Sequence, residues 1–457
     1  MSVARSMCRD SARPESPHPR VGRRRPIVLV TVLAMLLTAC GSSKSGSPTT
    51  TTTSTTSATS ATTAASGTPS PGVTATTVTV GQVDDLTAPL PGLFKGAEDG
   101  TEAYFDYIDS LGGVNGRMVK LDAQDSAYSD GTVANATSAQ IKSDFALVGG
   151  FSLDDAAEEP LIKAAAMPDI AVPLDPGLAD LPTAYSPFPN GDNDPPTTLF
   201  KVLKKKFPTQ IKHVGILWAN ATASTSLAEK AFERAAKSQG FKIVYDVSFE
   251  PSQTTFLPNV LAMKADGVQM FISQQMPDSY AETAAEEMQE QNFHPINVEE
   301  DAYTANLIKD GGAAVNGMYI SVGFALYLGT DGNLASVKLF NKWMHIADPT
   351  ANFELESLFG WASAELFVDG LRDAGSPPTR TGLEAALDKV TSFNADGLLS
   401  TGDPAQNVPS PCVVLAQVQG QKIVRVPPSP KTGLICLPNS SLPAPGFRPE
   451  VRPTPQS

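Results

Sequence analysis

The chain is 457 residues long and carries 34 Lys and Arg against 48 Asp and Glu, a net charge of −14. That sign excludes the clustered basic surface that phosphate backbones require, so no nucleic-acid partner is expected. The length exceeds one comfortable hydrophobic core and favours two lobes.

The first element is basic Arg23-Arg24-Arg25 followed by an apolar run from Ile27 to Leu37, 11 residues long. Crossing a bilayer as a helix takes roughly 20 apolar residues, so the run reads as a signal-peptide core within residues 1–39. From Cys40 to residue 74 the chain is dominated by Ser, Thr, Ala, Gly and Pro. Such a segment buries too little apolar surface to offset its ordering entropy, and it reads as a flexible tether. Residues beyond 39 hold 27 Lys and Arg against 46 Asp and Glu, a balance that suits solubility outside the cell.

A strand within "ATTVTVGQVDD" then meets "PGLFKGAEDGTEAYFDYIDSLGG", where Phe94, Ala97, Thr101, Tyr104, Phe105, Ile108 and Leu111 recur at helical spacing. Gly112-Gly113 stops that helix, and Asn115-Gly116 is a tight-turn dipeptide leading into "RMVKLDA". The alternation continues with helices near 130–142 and 154–166 and strands "FALVGG" and "DIAVP". After the polar, proline-rich stretch 187–196 it restarts, with helices near 197–206, 224–239, 255–265 and 279–291 between strands "HVGILWA", "KIVYDVSF", "GVQMFIS" and "INVEE". Strands separated by helices of this length predict parallel sheets covered on both faces. The fold class is therefore α/β, two doubly wound lobes.

The last third differs. Strand "GMYISVGF" is followed by helices near 334–347, 354–373 and 380–390 and then by close strands "CVVLAQVQG" and "KIVRV". Helices without intervening strands must cover a sheet that already exists. About three crossings are thus expected, near 190, 319 and 397: residues 75–190 with 319–396 form lobe 1, 191–318 with 397–437 form lobe 2, and the proline-rich 438–457 is a disordered tail.

No catalytic constellation assembles. His213, His294 and His345 are scattered, metal-ligand spacing of Cys and His is absent, and no phosphate-binding or nucleophile-elbow motif occurs. No enzyme activity, cofactor or metal is expected. In open α/β sheets the ligand crevice lies beyond the carboxyl ends of the strands. Those loops are 84–87, 151–155 and 174–176 in lobe 1, and 220–224, 274–278 and 299–303 in lobe 2. They nominate Thr87, Phe151, Ser152, Asp154, Asp175, Gln274, Gln275, Tyr280, Glu300 and Tyr303 as ligand contacts, although an acid such as Asp154 also serves as a helix cap.

Two resemblances sharpen this reading. Leu37-Thr38-Ala39-Cys40, with Gly41 behind it, resembles the lipobox of bacterial lipoproteins and implies a lipid on Cys40 that anchors the chain to the membrane. With Cys8 in the signal and Cys40 lipidated, Cys412 and Cys436 remain as an even pair in an oxidising compartment and are expected to form a disulfide. "DSLGGVNGRMVKLDAQDS", in order with "TVGQVDDLTAPLPG", "LVGGFS" and "VGILWA", resembles the type I periplasmic binding proteins of the branched-chain amino-acid family. The resemblance implies a monomeric, extracytoplasmic lipoprotein that holds a small polar solute, an amino acid or related compound, between hinged lobes and delivers it to an ABC permease. A ligand-sensing or docking lipoprotein of the same fold is the alternative. Where amino-acid binders of that family place Ser and Thr for the ligand carboxylate, this chain has Leu153-Asp154 and Leu174-Asp175. A carboxylate facing a carboxylate is repelled, so a cationic or hydroxyl-rich solute suits these loops and Glu299-Glu300-Asp301 better.

Overall fold

The computed structural model describes residues 70–87, 94–189, 191, 193–351 and 353–442. The proposed signal peptide, Cys40 and most of the tether lie outside them. The ordered body begins five residues before the expected start, because Gly72 turns back (φ 73°) and its carbonyl accepts from Thr79 N at 2.9 Å.

Lobe 1 is built from β1 (Thr77–Asp84), α1 (Lys95–Ser110), β2 (Met118–Asp125), α2 (Asp130–Ser143), β3 (Leu147–Val148), α3 (Glu159–Ala165), β4 (Asp169–Ile170) and the single turn α4 (Pro176–Ala179). The four strands form a parallel sheet in the order β2-β1-β3-β4. The turn after α1 forms as its sequence predicts: Asn115 and Gly116 both adopt positive φ, and Val114 and Arg117 exchange backbone hydrogen bonds at 2.8 and 3.0 Å. The helix expected over 154–166 divides into a 3-10 turn at Asp155–Ala157 and α3, because Pro160 brings no N–H and starts a helix better than it continues one.

Lobe 2 continues with α5 (Thr198–Lys206), β5 (Val214–Ala219), α6 (Ala223–Ser238), β6 (Ile243–Phe249), α7 (Leu257–Ala265), β7 (Met270–Gln274), α8 (Asp278–Glu290), β8 (Ile296–Glu299), α9 (Ala305–Gly311) and β9 (Tyr319–Val322). Then come α10 (Ala335–Ala347), α11 (Leu355–Asp373), α12 (Arg380–Leu387), β10 (Val414–Val418) and β11 (Ile423–Arg425). The second sheet has seven strands in the order β11-β10-β9-β8-β7-β5-β6, parallel except at the β9-β10 and β10-β11 pairs. Alternate residues pack on opposite faces. Val214, Ile216, Met270, Ile272 and Val298 meet α5 and α6, while Leu217, Phe271 and Ile320 join the larger core. Burial on both sides is why these strands read as continuous apolar runs.

Two boundaries differ from the sequence expectation. Strand β9 pairs with β8 and β10, so it belongs to lobe 2 and the second crossing follows Val322, not residue 319. An apolar strand followed by helices does not reveal which sheet it joins; its partner β10 lies about ninety residues on. The tail expected to be disordered from 438 instead docks first: Thr197 N donates to Ser440 O at 2.7 Å, and Lys201 Nζ reaches Asn439 O at 2.6 Å and Ser440 Oγ at 3.0 Å. Prolines did not prevent docking, because the contact uses carbonyl acceptors, which proline retains. The expected disulfide, Cys412 to Cys436, is present, and the adjacent Val413 and Ile435 pair as an antiparallel bridge.

The three late helices cover lobe 1. Helices α1 and α11 touch through their backbones: a Cβ on Gly100 would lie 2.0 Å from Ser357 O, and one on Gly360 would lie 2.0 Å from Ala97 O. Arg380 at the start of α12 donates to the carbonyls of Ile141, Asp144 and Phe145, which end α2. The second and third crossings run side by side, with Ala325 N donating to Leu398 O at 2.7 Å and Ser400 N to Gly323 O at 2.8 Å. Phe188, on the first crossing, packs over Gly323. All three connections therefore meet at one place, the geometry of a hinge.

Candidate functional site

The carboxyl ends of β3, β4, β5, β7 and β8 point at a common space, and a cavity of about 760 Å³ opens there between the lobes. Lobe 1 supplies Phe94, Tyr128, Phe151, Leu153 and Leu174, and α11 adds Glu354, Glu356 and Phe359. Lobe 2 supplies Ser224, Gln274, Gln275, Asp278, Tyr280, Glu300 and Asp301. A volume of this size lies within the usual range for small-molecule sites.

The two walls differ in chemistry. On the lobe 1 side four phenylalanines form a continuous apolar patch: ring centroids are 4.7 Å apart for Phe94 and Phe151, 5.9 Å for Phe151 and Phe359, and 5.3 Å for Phe188 and Phe359. Acids gather beside it, Asp278, Glu300 and Asp301 from lobe 2 and Glu354 and Glu356 from the start of α11 on the lobe 1 side. Their protein donors are neutral. Gln274 Nε2 donates to Glu300 at 3.1 Å, Thr304 Oγ1 to Asp278 at 2.6 Å and Gly96 N to Glu354 at 3.1 Å. None of the described residues lining the cavity is Lys, Arg or His. Burial, and then Asp301 beside it, pushes the Glu300 carboxyl up to about 8. Burial, followed by the charge of Glu356, raises Glu354, and burial with Asp301 and Asp278 raises Glu356. These groups are half-buried beside the cavity, where partial loss of water disfavours their charged forms.

Backbone geometry marks the same place. Tyr128 (φ 56°) and Gln275 (φ 55°) occupy the left-handed region although neither is Gly or Asn, a cost that persists where surroundings over-determine it. Asp85 helps hold one of these turns: it accepts from Ser126 Oγ, whose oxygen in turn accepts from Tyr128 N at 3.0 Å. Gln275 N donates to Asp301.

Of the contacts nominated from sequence, Phe151, Gln274, Gln275, Tyr280 and Glu300 line the cavity together. The other five do not. Thr87 donates to Asp125 on the outer side of the loop, and Ser152 donates to Asp85 at 2.8 Å within the wall. Asp154 sits beside Asp85 and Asp130 behind the lining residue Leu153. Asp175 caps α4 by accepting from Leu178 N at 2.9 Å. Tyr303 is wholly buried among Phe324 and Tyr327, and its hydroxyl accepts from Leu328 N at 2.9 Å. The sequence reading missed Tyr128, because the loop after edge strand β2 was not considered. It also missed Glu354 and Glu356, which stand at the start of a helix treated only as cover.

The sequence model of the periplasmic binding protein family matches residues 77–422. The chain belongs to that family. The periplasmic binding proteins are solute binders, not enzymes, and act outside the cytoplasm; among the described residues of this member no helix is long and apolar enough to cross a membrane. Solved structures share the type I fold. A fatty acid ABC transporter substrate-binding protein from Thermomonospora curvata is 16% identical with a TM-score of 0.64, covering 82% of this chain and 95% of its own. A branched-chain amino acid ABC transporter protein from Thermus thermophilus with bound valine is 12% identical with a TM-score of 0.67, covering 79% and 97%. A branched-chain amino acid transporter substrate-binding protein from Streptococcus pneumoniae, in complex with isoleucine, is 16% identical with a TM-score of 0.61, covering 76% and 97%. No curated protein sequence matches the chain.

Proposed function

We propose that this periplasmic binding protein captures a small solute in the interlobe cavity and delivers it to an ABC importer, tethered to the membrane by lipid on Cys40. The observation that carries the reading is the cavity itself: residues of both lobes line it, and three hydrogen-bonded or packed crossings adjoin it as a hinge. Residues 1–39 act as the signal and 40 to about 69 as the spacer. The fatty acid and branched-chain amino acid named for the structural neighbours define the kind of cargo this architecture carries elsewhere. The lining described here is more apolar than the amino-acid solute expected from sequence requires.

The test is a melting-temperature screen of the purified protein against amino acids, fatty acids, amines and sugars. Ligand at a hundred times its Kd adds about 2.7 kcal/mol to stability. Small-angle scattering should show a smaller radius of gyration with the active solute. Uptake by cells that requires both this chain and a permease then supports delivery. Closure without uptake would favour the sensing role.

A further inference from the structure

We infer that the pole of lobe 2 farthest from the cavity is a basic surface that docks on anionic phospholipid headgroups. The inference goes beyond the solute-binding reading and uses residues remote from the cavity.

Topology places this surface. The cavity lies beyond the carboxyl ends of the lobe 2 strands, so the loops that enter β5 and β6, the end of α5 and the β10-β11 turn gather at the other end of the sheet. Hydrogen bonds tie these segments to one another. Lys242 N donates to Ile211 O at 2.9 Å and Lys212 Nζ to Gly240 O at 3.1 Å, while Gly317 N, just before β9, donates to Val418 O at 2.8 Å. Lys206 joins the two halves, its Nζ 5.5 Å from the ring centroids of both Phe207 and Tyr319.

Positive charge is concentrated there. Residues 204–213, 237–242 and 419–422 hold Lys204, Lys205, Lys206, Lys212, Lys237, Lys242 and Lys422, and no Asp or Glu. All but the half-buried Lys206 are exposed. Lys237 pairs with Glu233 one turn earlier, and the other six form no ion pair among the described residues. The acids at this end of the sheet, Asp266, Glu290 and Asp310, stand at the ends of α7, α8 and α9, whose apolar residues pack on the face opposite α5 and α6. A net charge of −14 averages over the whole chain and so conceals a basic pole.

Six lysines without an acid partner repel one another and gain most from a surface of many phosphates. Each lysine held near an anionic bilayer strengthens binding about fivefold. A lipid chain and a basic patch together hold where one signal alone is marginal. The lipid on Cys40 proposed above supplies the first signal, and the basic pole supplies the second. Because the family acts outside the cytoplasm, headgroups and not nucleic acid are the phosphates within reach. Docking by this pole leaves the cavity, at the opposite end of the lobe, open to solute.

The experiment measures co-sedimentation of the full chain carrying Cys40→Ser, which can take no lipid, with vesicles of phosphatidylcholine alone or mixed equally with phosphatidylglycerol. Binding should require phosphatidylglycerol and vanish in about 1 M salt, where the screening length shrinks to about 3 Å. Lys204→Gln/Lys205→Gln/Lys206→Gln should weaken it by at least about tenfold. Lys120→Gln/Lys142→Gln/Lys163→Gln, which removes the same charge from exposed lysines of lobe 1, should leave it unchanged. Melting temperatures check that both variants fold, and the solute screen reads the cavity independently of this result. Equal binding to neutral vesicles, an equal loss in the lobe 1 variant, or no binding at low salt would overturn the inference. Tighter binding of duplex DNA than of vesicles at the same phosphate concentration would give the pole a different partner and overturn it as well.

Discussion

Two sets of carboxylates surround the cavity, one buried and one half-buried, and they differ in what their oxygens face. Asp84, Asp85 and Asp155 in lobe 1 accept from the chain itself: Phe151 N at 2.9 Å, Leu153 N at 2.8 Å, and Leu174 N and Asp175 N at 2.6 and 3.0 Å. They fasten the loops after β3 and β4 whose Phe151, Leu153 and Leu174 form the apolar wall. Asp278, Glu300, Asp301, Glu354 and Glu356 border open space instead, with Ser279 N donating to Asp278, Gln275 N to Asp301, Gly96 N to Glu354 and the Gln274 amide to Glu300. Burial raises Asp84, Asp85 and Asp155 in the first set and Glu300, Asp301, Glu354 and Glu356 in the second, so a displaced pKa does not separate the acids that build a wall from those that border the cavity. Position does: the first set is enclosed in the protein and the second borders the cavity.

A third case sets the upper end of the scale. Asp331 is a buried acid with its own cation: Arg425 grips both carboxylate oxygens, and Leu326 N donates to one of them at 2.8 Å, tying β11 to the loop beyond β9. Arg425→Leu leaves that charge buried and unpaired and should cost about 3–5 kcal/mol in denaturant unfolding. A loss under about 1 kcal/mol would mean that the pair adds little net stability over an apolar contact. Asp85→Ala comes next. It strips acceptors from Ser126, Ser152 and Leu153 and should cost about 2 kcal/mol while weakening solute binding, because the loop that carries Phe151 loosens. Asp85→Asn keeps one acceptor and should recover much of both losses.

Glu300→Gln is expected to act in the opposite direction. The ordinary glutamate value of 4.5 rises to about 8 in the fold, so between those values the folded state keeps a proton that the unfolded chain has released. Stability therefore falls as pH rises through this window. The groups facing Glu300 are Asp301, Gln274 and Glu229, none of them cationic. The variant should unfold at higher temperature than the wild type at pH 8, by about 1 kcal/mol of added stability, and match it near pH 4.5. Equal melting curves at both pH values would show that Glu300 titrates normally.

The fold was legible in sequence to a large extent because strand and helix alternate with strong apolar periodicity, and because turns such as Asn115-Gly116 act locally. Register between distant segments was not. Strand β9 gave no local sign of its sheet, since its partner β10 follows only after three helices. The site was half legible for the same reason. The position of Gln274, Gln275 and Glu300 at strand ends follows from topology, and those three line the cavity. Whether an aromatic residue near such an end faces the cavity or the core depends on the rotation of its loop, which is why Tyr280 lines the space and Tyr303 supports it from behind. Likewise Asp154 and Asp175 were chosen as acids in the right loops, but one stands behind Leu153 and the other caps a helix.

The smallest effect tests how the two walls are held together. Ser224 Oγ donates to Asp175 Oδ1 over a long 3.5 Å, a contact between the start of α6 in lobe 2 and the loop after β4 in lobe 1. Asp175 has Leu178 N as a second donor, so it stays satisfied without the serine. Ser224→Ala should accordingly change global stability by no more than about 0.5 kcal/mol. Its consequence lies in the hinge equilibrium. If the contact helps hold the lobes in this arrangement, removing it lowers the closed fraction, and the apparent affinity falls in proportion, by about two- to threefold. Scattering of the ligand-free protein should show a slightly larger radius of gyration for the variant. If affinity and radius both stay at wild-type values, the contact is incidental to how the lobes meet.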